Sequence, residues 1–142
     1  MAKFNYLQIV YGGMVAVAGV NEVVDTLEIK NINKVFDTYI KIPNRDKKEV
    51  LKIWKEMKEE KFVELIIEEL KLFPKMDQLE AYKYVVQFIN FSNHQYLKSK
   101  KSQPKGVDPE RAEMSQYWDK ANVIREGLGI SMVEYNAFIG RR

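Results

Sequence analysis

The sequence predicts an all-α fold of about seven helices in a single domain, and three observations support this. The chain has 142 residues, the usual size of one domain. Hydrophobic residues make up 46% of it, enough to fill one sizeable core. Apolar residues recur at helical spacing almost throughout, and no long alternating run indicates a sheet.

Composition and motifs exclude several classes of function. The chain contains no cysteine and one histidine, His94, so thiolate zinc sites, cysteine nucleophiles and histidine-rich metal centres are excluded. No Ser-His-Asp set or glycine-rich phosphate loop can be assembled from the sequence. A net charge of only +3 disfavours binding of nucleic acid by the whole chain. We therefore predict a protein that is not an enzyme.

The first apolar stretch, residues 4–21, carries no charge and is apolar on all sides. This pattern predicts a central helix buried within the domain. The stretch follows Lys3 and contains Ala16-Val17-Ala18, so a signal peptide or membrane anchor is the alternative. Asn5, Gln8 and the Gly12-Gly13 pair interrupt the run and favour the buried helix, with the glycines marking close helix packing. A cytoplasmic location follows from this interpretation.

Residues typical of helix termini mark the starts and ends of the later helices. Four of the starts fit a capping box, in which each side chain satisfies the other residue's free backbone N–H group. Pro109 suits the first position of a helix, and Gly127-Leu128-Gly129 supplies a stop. The capping pairs are Asp25/Glu28, Asp46/Glu49, Asp77/Glu80 and Ser131/Glu134. The predicted helices cover about 25–39, 46–57, 62–73, 79–91 (a second central helix), 112–128 and 132–138.

One long connection, from about His94 to Val107, is predicted to be a mobile insertion in the single domain 1–142. It contains four lysines, which suggest binding to phosphate groups, either of nucleic acid or of an anionic lipid surface. A solvated insertion with no binding role is the interpretation that the residues favour, and phosphate binding is the alternative. The four lysines are Lys98, Lys100, Lys101 and Lys105.

An acidic turn between the first two helices is the candidate metal site. Asn21, Glu22, Asp25 and Glu28 place four oxygen-bearing side chains across one helix-to-helix turn. Hard cations such as Ca²⁺ take six to eight oxygen ligands from loops of this kind. The alternative is that Asp25 and Glu28 only cap the helix that follows. The residues alone leave both interpretations open.

The same turn resembles the TerB-like family, named for the tellurite-resistance protein TerB. That family's turn reads roughly Ala-Asp-Gly-x-Ile-Asp-x-x-Glu. Asn21 falls on the first acid, Glu22 on the glycine, Val24 on the apolar position, and Asp25 and Glu28 on the last two acids. Asn21 and Glu22 therefore depart from the family pattern, and the loss of a carboxylate at Asn21 weakens any cation site.

A second copy of the pattern appears in the C-terminal half. Asn93 and His94 stand where the turn begins, and Asp108 and Glu110 resume it after the lysine-rich insertion. The ending 127–135 resembles the family's Leu-Gly-x-Ser-x-x-Glu segment. The resemblance implies duplicated three-helix units, related by a pseudo-twofold axis, and a poorer second cation site at Asp108 and Glu110. The bound ion would be Ca²⁺, Mg²⁺ or Zn²⁺.

These observations give three hypotheses of function. The preferred one is a cytoplasmic, non-enzymatic module that acts through protein contacts, tied by the resemblance to stress or tellurite resistance and to membrane-proximal complexes. The second is a divalent-cation binder that uses the acidic turn, and the third is a phosphate-surface binder that uses the lysine-rich insertion. Exposed apolar residues on the Trp54 or Trp118 faces would mark a homodimer contact.

Overall fold

A computed structural model describes residues 4–19, 26–39, 41–57, 59–100 and 109–140. This part of the chain contains seven helices and no strand, which confirms the all-α prediction. The pseudo-twofold arrangement stays a prediction. The helices are α1 (Tyr6–Ala18), α2 (Thr26–Tyr39), α3 (Asn44–Glu56), α4 (Glu59–Leu70), α5 (Lys75–Lys100), α6 (Pro109–Gly127) and α7 (Met132–Gly140).

Helix α1 lies at the centre of the fold, as its apolar sequence predicts. Every residue from Gln8 to Ala18 is buried, and α1 packs against the five helices from α2 to α6. The glycine pair lets these neighbours approach. A Cβ atom on Gly12 would lie 2.6 Å from Cδ1 of Ile66, and one on Gly13 would lie 3.3 Å from Cγ2 of Val85. Gly12 therefore faces α4 and Gly13 faces α5, which confirms the prediction of close packing.

Two of the predicted capping boxes are wrong. The residue that precedes α3 is Pro43, which makes no side-chain cap, and Pro74 accepts the first backbone hydrogen bonds of α5. Asp46 and Asp77 lie instead in the first turn of their helices, where a carboxylate still interacts favourably with the helix dipole. These helices start earlier than predicted because the carbonyl groups of Pro43 and Pro74, and not those of the acidic residues, accept the first helical hydrogen bonds.

Two other starts agree with the sequence and one adds to it, whereas Asp25 of the predicted Asp25/Glu28 box lies outside the described residues and α4 starts at Glu59, earlier than predicted. Ser131 Oγ accepts a hydrogen bond of 3.0 Å from the Glu134 N–H, which is one half of the predicted box. Pro109 is the first residue of α6, as predicted. A complete capping box that the sequence analysis missed joins Asn5 and Gln8 at the start of α1. These two polar residues initiate the central helix and do not interrupt it.

Helix α5 is the second central helix, and it is longer than predicted. It packs against α1, α2 and α6, and Phe88 meets the Tyr117 ring at a centroid distance of 5.5 Å. The helix continues to Lys100, so the connection expected from His94 begins later than predicted. The physical reason is that residues 92–100 contain no glycine or proline, and the first helix breaker is Pro104.

Candidate functional site

The predicted cation site falls largely outside the described residues. Asn21, Glu22, Asp25 and Asp108 are not in the described ranges. Glu28 lies in α2 and Glu110 in α6, but the positions of their side chains are not among the described features. Within the described ranges, no group of three or more histidine, cysteine or acidic side chains is arranged to hold a metal ion. The cation site therefore stays a prediction.

The lysine-rich insertion also lies only partly within the described residues. Lys98 and Lys100 lie in the last turns of α5, and their side chains are not described. Lys101 and Lys105 lie outside the described ranges. The phosphate-binding hypothesis for these four lysines also stays a prediction.

Trp54 packs inside the fold at the end of α1. Its exposed fraction is 9%, so this face of α3 is not a free surface for a dimer contact. A Cβ atom on Gly19 would lie 2.8 Å from the Trp54 indole nitrogen, so the ring covers the last residue before the acidic turn. Among the described residues this nitrogen has no hydrogen-bond partner. Trp118, in contrast, keeps an exposed fraction of 38%.

Large exposed apolar side chains occur at three places among the described residues: the connection from α4 into the first turn of α5, helix α7, and helix α6, where Val123 has an exposed fraction of 48%. Helix α7 buries two residues, Tyr135 and Phe138, and its remaining apolar side chains face outward. We call Leu72 and Met76, together with Met132, Val133 and Ile139 of α7, the C-terminal apolar edge. The exposed fractions of these side chains are 62% for Leu72, 55% for Met76, 47% for Met132, 81% for Val133 and 42% for Ile139.

Lys75 brings the two parts of the C-terminal apolar edge to the same end of the molecule. Its ammonium group donates hydrogen bonds to the carbonyl oxygens of Leu128 (3.1 Å) and Gly129 (3.2 Å). The same group lies 3.9 Å from the Glu134 carboxylate at the start of α7. The start of α5, which follows Leu72 and contains Met76, is thereby tied to the α6–α7 turn.

A Schellman turn fixes the direction in which α7 leaves α6. Gly129 has a φ of +70°, a left-handed conformation that glycine adopts without the steric cost of a Cβ atom. The Ile130 N–H donates to the Arg125 carbonyl, and the Gly129 N–H donates to the Glu126 carbonyl. The Arg125 guanidinium in turn donates to the Ile130 carbonyl at 2.8 Å. The predicted glycine stop is confirmed, and it positions the apolar residues of α7.

The inner side of α7 is held by an aromatic contact. The rings of Tyr135 and Tyr82 meet edge to face with centroids 4.9 Å apart. Burial, with a smaller effect of Tyr82, raises the pKa of Tyr135 to about 12. Burial also raises the pKa of Tyr82, although the neighbouring Arg125 acts in the opposite direction. Both phenols are therefore neutral near pH 7, and α7 is attached chiefly by apolar contact.

The sequence analysis missed the C-terminal apolar edge because periodicity does not distinguish the two sides of a short apolar helix. Met132, Val133 and Phe138 were assigned together to the last helix, yet Phe138 alone of these three is buried. A signal was present at Leu72, which stands next to Lys71 and two residues before Pro74. An apolar residue in a turn of this kind has no helical stripe to join.

None of the described helices is both long enough and apolar enough to cross a membrane. No protein-family model, curated protein or solved structure matches the chain.

Proposed function

We propose that this chain is a cytoplasmic, non-enzymatic module that acts through protein contacts, and that the C-terminal apolar edge is its contact surface. The observation that carries the proposal is the exposure of five large apolar side chains at one end of the described fold. Their contact with water is unfavourable by about 25 cal/mol for each Å² of apolar surface. A partner that covers this edge recovers that free energy.

The surroundings of the edge fit the anatomy of a protein interface. Protein interfaces have an apolar centre and a polar rim. Here the apolar side chains are accompanied by the exposed Lys71, by the partly exposed pair of Lys75 and Glu134, and by Asn136. Charged groups at such a rim contribute little to affinity but help to orient the partner.

The TerB-like resemblance extends this proposal to stress or tellurite-resistance systems and to complexes near a membrane. It rests on the acidic turn 21–28 and on the ending 127–135. The observed Schellman turn at Gly129 and the cap at Ser131 fall within that ending. Divalent-cation binding at the acidic turn and phosphate binding by the lysine-rich insertion remain the alternative proposals.

Size-exclusion chromatography of native extracts tests the proposed contact surface. The tagged chain, expressed at its natural level, is expected to elute well above its own mass of 16.7 kDa. The double variant Leu72→Asp/Val133→Asp is expected to return to the monomer position. The control Asn90→Asp/Gln116→Asp adds the same charge at two other exposed positions and should elute like the wild type.

Purified protein at the same concentration distinguishes a homodimer from a complex with another protein. A large species that persists after purification is a homodimer, and one that is lost indicates a different partner. The proposal is wrong if the wild type elutes as a monomer in the extract. It is also wrong if both double variants change the elution equally.

A further inference from the structure

Positive charge is concentrated on and around α3. Residues 41–58 contain seven basic and three acidic side chains, so this segment alone exceeds the net charge of +3 of the whole chain. The next helix, α4, has the opposite balance, with five glutamates and one lysine between residues 59 and 70. The cationic character is therefore a local property of one helix.

Three lysines of α3 form a stripe on the side opposite its buried face. Val50 and Trp54 point into the core, whereas Lys48, Lys52 and Lys55 are exposed. At 100° per residue the three lysines lie within an arc of about 60°. With a rise of about 1.5 Å per residue, the stripe is about 10 Å long. Within the described ranges none of the three ammonium groups pairs with a carboxylate.

The lysine stripe borders a shallow, open depression whose apolar part is Leu51. A hollow of about 500 Å³ is lined by Lys48, Leu51, Lys52, Lys55 and Glu56. All of these lining residues belong to α3, and Leu51 is half-buried against the core. We call this surface the α3 lysine groove.

We propose that the α3 lysine groove binds an acidic peptide segment of a partner protein, with one apolar side chain of that segment placed against Leu51. Charge complementarity sets the sign of the partner, because three exposed lysines lie along one line of α3. Leu51 provides the contact for the single apolar side chain of the partner's peptide segment. This proposal concerns a different surface from the C-terminal apolar edge, so either can fail without the other.

Another anionic partner, single-stranded nucleic acid, fits the groove less well. Single-stranded nucleic acid is held by aromatic side chains that stack on its bases, and the residues that line the hollow include no aromatic ring among the described ones. The lysine ammonium group is a point charge, whereas the planar guanidinium of arginine forms two parallel hydrogen bonds to one phosphate.

Fluorescence anisotropy with a labelled probe peptide tests the proposal. The probe is a nine-residue peptide of alternating aspartate and glutamate with one central phenylalanine. The variant Lys48→Gln/Lys52→Gln/Lys55→Gln is expected to weaken its binding by about tenfold, since each exposed pair contributes modestly. The control Lys30→Gln/Lys61→Gln/Lys71→Gln removes the same charge from exposed lysines elsewhere and should change binding less than threefold.

A second probe peptide and two competing ligands, phosphatidylserine vesicles and single-stranded DNA, complete the test. Replacing the central phenylalanine of the peptide with serine is expected to weaken binding by about tenfold, because the contact with Leu51 is lost. Circular dichroism verifies that both triple variants are folded. The proposal is overturned if the peptide does not bind, if serine in the probe has no effect, or if both triple variants weaken binding equally. Tighter binding of phosphatidylserine vesicles or of single-stranded DNA than of the peptide would also overturn it.

Discussion

Helices α1 and α7 are both rich in apolar residues, yet they differ in how many of those residues are buried. Helix α1 buries every residue from Gln8 to Ala18, whereas α7 buries Tyr135 and Phe138. Helix α1 has five neighbouring helices, and α7 is attached by two aromatic side chains and the turn at its start. The comparison teaches that apolar composition alone does not determine how far a helix is buried within its own chain.

The same substitution in the two helices gives the largest expected difference. Met14 of α1 has an exposed fraction of 0%, and Met132 of α7 has one of 47%. Met14→Ala is expected to lower the free energy of unfolding by about 2–5 kcal/mol because it leaves a cavity. Met132→Ala should stay within about 0.5 kcal/mol. Urea unfolding of the purified monomer measures both, and equal losses would contradict the comparison.

A pair of glycine substitutions sharpens the comparison through packing. Gly12→Val places a branched side chain where a Cβ atom already meets Ile66 at 2.6 Å. We expect it to lower the free energy of unfolding by about 1–3 kcal/mol through overpacking. Gly140 has no neighbour within 4 Å of its Cβ position, so Gly140→Val serves as the control. Thermal unfolding should separate the two variants, and a Gly12→Val variant as stable as the control would show that α1 is loosely packed.

The pH dependence of stability reports on the inner side of α7. The pKa of Tyr135 is raised to about 12 in the folded state, against an ordinary value of about 10 in the unfolded chain. Between these two values the unfolded state releases a proton that the folded state retains, so stability falls as the pH rises. The slope is at most about 1.4 kcal/mol per pH unit.

Tyr135→Phe isolates this contribution. The variant should lose less stability than the wild type between pH 10 and 12, since the other titrating groups are common to both proteins. At pH 7 the variant should be at least as stable as the wild type, because the buried Tyr135 hydroxyl has no hydrogen-bond partner among the described residues and its removal breaks no bond. Urea unfolding across this pH range measures the difference. Parallel stability curves would mean that Tyr135 is exposed to solvent.

The sequence was sufficient to predict the all-α fold, the buried α1 and the glycine stop at Gly129. Each of these depends on local pattern or on backbone conformation, which neighbouring residues determine. The starts of α3 and α5 were misplaced because Pro43 and Pro74 compete with the acidic residues that follow them. The exposure of Val133 could not be predicted, since it depends on which helices pack against α7 in three dimensions.

Site-specific photocrosslinking at Val133 tests the central claim most directly. A photoreactive phenylalanine analogue replaces Val133 in the chain expressed at its natural level, and in a second protein it replaces the exposed Asn90 of α5. The proposed function predicts a discrete crosslinked product from position 133 that is absent or much weaker at position 90. No product at position 133, or the same products at both positions, would contradict the claim that α7 presents its apolar side to a partner.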